Sequence, residues 1–86
     1  MGAYSNTQFA DIDVEGIAER GLQIYNEKYK EEFERKYFGQ YVEIDPDTGK
    51  AYVGKTHEEA LQAARKDAPN GLFLILGIGF DNSIRM

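Results

Sequence analysis

The sequence predicts a single α+β domain of order α-β-β-α-β. It carries a three-stranded, mainly antiparallel sheet in the order 2-1-3, with both helices on one face. Three observations predict it. A stripe of apolar residues recurs every three or four positions from Val14 to Tyr37, and a hairpin punctuated by proline and glycine runs from Tyr41 to Gly54. A capped helix then leads into the aliphatic run Leu72-Phe73-Leu74-Ile75-Leu76-Gly77-Ile78. The chain has 86 residues, enough for one domain that buries roughly 60% of its unfolded surface. Residues 14–80 form that domain, between an N-terminal arm (1–13) expected to be flexible and a C-terminal tail (81–86).

The arm is small, polar and aperiodic, with Phe9 and Ile12 suited to docking on the body. Asp13 is placed to cap the first helix, and Glu15 and Glu19 favour its N-terminal dipole. Along that helix Val14, Ala18, Leu22, Tyr25, Tyr29, Phe33 and Tyr37 form one stripe, which Ile17, Gly21 and Ile24 widen in the first half. The second half is mostly charged, with Glu31–Arg35 and Glu32–Lys36 in the favoured i,i+4 order, and Gly39 is positioned to end it. In the hairpin, Asp45-Pro46-Asp47-Thr48-Gly49 supplies a proline for an early turn position and a glycine for positive φ. Thr56 with Glu59 forms a capping box, followed by Ala60, Leu61, Ala63, Ala64 and Ala68 on the expected inner side, and Pro69-Asn70-Gly71 stops the helix.

Composition narrows the function. Fifteen acids against ten bases give a net charge of −5, the wrong sign for a binder of phosphate backbones, so no nucleic-acid partner is expected. The chain has no cysteine, which excludes a disulfide scaffold and a thiolate zinc site. Its longest apolar run, Leu72 to Phe80, is about half of the ~20 residues that a membrane helix needs, so no membrane partner is expected. The opening residues lack a basic stretch followed by an apolar one, and a cytoplasmic protein is expected.

Two segments imitate binding motifs. Gly49-Lys50-Ala51-Tyr52-Val53-Gly54-Lys55-Thr56 fits the phosphate-loop pattern G-x-x-x-x-G-K-[ST], which makes a nucleotide-binding protein using Gly54, Lys55 and Thr56 the alternative reading. That chemistry needs a curled loop of backbone N–H groups, whereas Ala51-Tyr52-Val53 are strand formers. Asp45, Asp47 and Gly49 open like a calcium loop, but Thr56 stands where a bidentate glutamate belongs. His57, the only histidine, has no second histidine or cysteine to work with and reads as a surface residue of the first helical turn. No carboxylate reads as set in an apolar context fit for acid catalysis. The expectation is a non-catalytic protein with no catalytic residue, no metal and no cofactor.

What the chain offers is aromatic surface. Alternation puts Val42, Ile44, Ala51 and Val53 on one sheet face, the floor for the helices. It puts Tyr41, Glu43 and Tyr52, with Phe73 and Ile75, on the other, where a protein partner is expected to cover them. A helix of ~24 residues is ~36 Å long, while strands of five to seven residues span only ~17–23 Å, so the stripe Tyr25, Tyr29, Phe33, Tyr37 is expected to run on past the sheet. Tyr25, Tyr29, Phe33, Tyr37, Tyr41, Tyr52 and Phe73 are the expected partner-binding residues.

The segments Tyr41-Val42-Glu43-Ile44-Asp45-Pro46-Asp47 and Tyr52-Val53-Gly54-Lys55-Thr56-His57-Glu58-Glu59-Ala60-Leu61 resemble the core of HicB-type antitoxins, in which two strands lead through a glycine and a threonine cap into a helix. Over Lys36 to Ile78 the chain is also similar to a related family of small bacterial domains of unknown function. The first resemblance implies an antitoxin-like inhibitor that neutralises a small ribonuclease through its sheet and helix. The second implies an accessory subunit of an operon-encoded partner. In either case the expected partner is a protein, toxin-like or operon-encoded, a second copy of the chain, or both.

Overall fold

A computed structural model describes residues 14–80. The first helical rod consists of α1 (Val14–Ile24), a π-helical turn (Tyr25–Tyr29) and α2 (Lys30–Lys36). The strands are β1 (Tyr41–Ile44), β2 (Ala51–Gly54) and β3 (Leu74–Gly77), and α3 (His57–Asp67) joins β2 to β3. The sheet has the order β2-β1-β3 and both pairings are antiparallel, so the α+β class and the strand order stand as expected. Asp13, the docking residues Phe9 and Ile12, and the tail lie outside the described residues.

The π turn follows from the spacing of the aromatic stripe. At 3.6 residues per turn, four residues overshoot a full turn by ~40°, so three successive steps of four from Tyr25 to Tyr37 drift by ~120° on a regular helix. A wider turn absorbs that surplus. The Lys30 N–H donates to the Tyr25 carbonyl, five residues back. The stripe therefore stays on the core side. Tyr25 is 1% exposed, Tyr29, Phe33 and Tyr37 pack against the core at partial burial, and successive ring centroids lie 4.9 and 5.2 Å apart. The single regular helix expected here is thus interrupted. Along its own surface run the i,i+4 pairs Glu32–Lys36 at 2.8 Å, as expected, and Lys30–Glu34 at 2.7 Å, and Arg20 lies 3.9 Å from Asp47 of the hairpin turn.

The hairpin closes through the side chain of its first turn residue. The Asp45 Oδ1 accepts from the N–H groups of Asp47 (2.9 Å) and Thr48 (3.3 Å), and Gly49 takes φ +80°. Tyr29 ties this turn to the rod, its hydroxyl donating to the Gly49 carbonyl at 2.5 Å.

The helices do not share a face. Register places Val42 beside Val53 and Leu76, and Ile44 beside Ala51 and Leu74. The rod covers this face, where Tyr25, Val42, Ile44, Leu76 and Ile78 form the core. The opposite face carries Tyr41, Glu43, Tyr52 and Gly54, and α3 lies on it, over β2 and β1. Gly54 allows the contact, since a Cβ there would overlap the backbone nitrogen of Ala60. Ala60 and Ala64 are fully buried by this approach, while Ala63 is exposed. The expectation of both helices on one face is corrected to one helix on each. A single three-stranded sheet has two apolar faces to hide, and the small residues on α3 fit the second.

Candidate functional site

Over β1 and β2 the face expected to await a partner is covered by α3, and Tyr52 on it is satisfied within the chain. The Tyr52 hydroxyl donates to Asp67 Oδ2 at 2.7 Å, and this bond pushes the phenol up to about 12. The same bond, with Lys50 at 3.4 Å, holds Asp67 below the usual carboxylate range. Phe73 packs edge-on to Tyr52, with ring centroids 6.0 Å apart, at partial burial. Tyr25 is corrected to a core residue. Its hydroxyl is buried without a hydrogen-bond partner, and burial first, then Glu34, raises its pKa. Tyr29, Phe33 and Tyr37 line the rod's inner side rather than a free overhang.

Beneath the start of α3 lies Glu43, 3% exposed on the central strand. Burial raises its pKa, with His57 and Arg65 acting in the opposite sense. His57 Nε2 stands 3.8 Å from Glu43 Oε2, and its ring lies 6.4 Å from that of Tyr41. The expectation that no carboxylate sits in an apolar context is overturned here. The available signal was the position of Glu43: the middle strand of an order 2-1-3 sheet is enclosed on both sides once a helix lies on each face.

The phosphate-loop segment is strand and cap. Gly54 pairs with Tyr41 in the ladder, the Lys55 N–H donates to Glu59 Oε1 at 2.9 Å, and Thr56 Oγ1 accepts from the Glu59 N–H at 3.1 Å. A carboxylate therefore occupies the amide that a phosphate would need. Among the described residues, no group of three or more His, Asp or Glu could hold a metal ion, and no helix is long and apolar enough to cross a membrane.

The exposed apolar surface lies where periodicity gave no signal. Phe38 is 70% exposed and lies over the backbone of Gly79, while Phe80, 48% exposed, lies over Gly77. Tyr41, an expected partner-binding residue, packs edge-on to Phe80 at 5.6 Å. The Gly39 N–H donates to the Ile78 carbonyl at 2.9 Å, which brings the two segments together at one end of the sheet. Phe38 follows the last helical turn and Phe80 follows β3, so neither belongs to a period of 3.6 or 2.

The chain matches no protein-family model, no curated protein and no solved structure.

Proposed function

We propose that this chain is a non-catalytic protein-binding module, an antitoxin-like inhibitor or accessory subunit, that presents Phe38, Phe80 and Tyr41 to a toxin-like or operon-encoded protein. The observation that carries this reading is the pair of large exposed rings seated on the glycine backbone of residues 77 and 79. Aromatic side chains with few rotatable bonds lose little entropy on binding and dominate interface energetics. The hairpin and capped helix named in the antitoxin resemblance are both present, as β1, β2 and α3. The buried Glu43 belongs to the α3–sheet contact in this reading and has no substrate to act on.

Site-specific photo-crosslinking in the native host tests the proposal. A crosslinking residue at position 38 or 80 is expected to trap one discrete protein, whereas the same residue at the exposed Lys66 on α3 traps none. Equal labelling from all three positions, or none from any, overturns it.

A further inference from the structure

The two edges of the sheet are treated differently. β2 is bracketed by Lys50 and Lys55, and charged residues at an edge discourage strand addition. β3, the other edge, lies within a stretch from Ala68 to Phe80 that contains no charged residue at all. Leu72 is 53% exposed at one end of that stretch and Phe80 is exposed at the other. Hydrogen bonding along β3 alternates. Ile78 both donates to the Gln40 carbonyl (2.8 Å) and accepts from the Gly39 N–H (2.9 Å), so its polar groups face the β1 side. Counting back by two puts Leu76 and Leu74 inward as well, and turns the N–H and C=O of Ile75 away from β1. On the α3 side of the sheet that helix lies over β2 and β1, leaving Ile75 only half-buried.

We infer that β3 pairs with β3 of a second copy of this chain about a two-fold axis through Ile75, through one hydrogen-bonded residue pair, Ile75 and its symmetry mate, with the apolar side chains of the strip packed around it. The occupant is argued from charge and symmetry. With a net charge of −5, two copies repel wherever their charged surfaces meet, and the β3 strip is where they meet without charge. An antiparallel pairing centred on one residue is self-complementary, as a two-fold interface requires. Here Ile75 of each copy both donates to and accepts from Ile75 of the other. Leu74 falls opposite Leu76 on the rod side and Phe73 opposite Gly77 on the α3 side, so parity keeps each helix layer on its own face. Gly77, whose carbonyl already accepts from the Phe80 N–H at 3.2 Å, is not required to bond across the axis.

Light scattering over a concentration series, on the full chain, tests this. The wild-type chain is expected to reach twice the monomer mass. Ile75→Pro removes only the outward donor, a place where an edge strand tolerates proline, and Leu72→Lys puts charge into the strip; both are expected to be monomers with unchanged circular dichroism. Phe38→Ser, which tests the proposed partner surface, is expected to keep the dimer. Should Ile75→Pro unfold, Leu72→Lys decides, together with Ile75 amide exchange in the wild-type chain, which slows as concentration rises. A wild type still monomeric at about 1 mM, a dimer surviving Leu72→Lys with Ile75 exchange independent of concentration, or a dimer lost in Phe38→Ser overturns the inference.

Discussion

Glu43 lies under a helix and beside the only histidine, and its burial has a thermodynamic sign. Because the fold raises its pKa, folding favours the protonated carboxyl over the ionised one relative to the unfolded chain. Its favourable contribution is fully present below the unfolded carboxylate range of about 4.3 and is lost as pH rises through the folded value. At neutral pH the ionised group therefore costs stability, offset in part by the Arg65 charge. Glu43→Gln keeps the shape and removes the titration. It is expected to raise stability at pH 7 by about 1 kcal/mol, or ~4–8 °C in Tm for a domain of this size. The gain should shrink towards pH 4. Thermal melts of both proteins across that range measure it, and a variant that melts lower at pH 7 contradicts the account.

The contact between α3 and the sheet rests on Gly54, because the helix backbone itself sits where a side chain would be. Gly54→Ala is expected to cost about 3 kcal/mol, the upper part of the range for overpacking, since backbone cannot swing aside as a side chain can. A urea melt reads this directly, and a loss below about 1 kcal/mol would mean that α3 shifts easily. Gly54 also shows how far sequence reading reached. Its place at the end of a strand was legible, as were the hairpin, the Thr56 cap and the stripe of the rod, because each is written in local spacing. Which face α3 would choose was not, because the cue is a missing Cβ whose meaning appears only once the turn at Lys55 and Thr56 lays the Ala60 backbone over Gly54. The same misplacement hid Glu43. The exposed rings were out of reach for another reason: Phe38 and Phe80 belong to no period, and only the folded chain brings Gly79 and Gly77 beneath them.

At the scale of the molecule, a sheet of three short strands between two helical layers gives a small core, and pairing through β3 would tie folding to protein concentration. Association that favours the native chain raises its melting point with concentration. A Tm that climbs over a hundredfold increase in wild-type protein, and stays flat for Leu72→Lys, is expected from differential scanning calorimetry; equal slopes for both proteins would place the association elsewhere. The π turn acts across the whole molecule in a different way. It holds one residue more than a regular turn would use, and everything from Lys30 onward takes its rotation from that surplus. Were a single codon lost between Tyr25 and Tyr29, the rod would close into an ordinary spiral. Phe33 and Tyr37 would then stay within about 20° of the stripe, because the ~100° that goes with the lost residue cancels the surplus. A residue can therefore be dropped from this turn with less disturbance than from any regular part of the rod, where the same loss turns all that follows by ~100°.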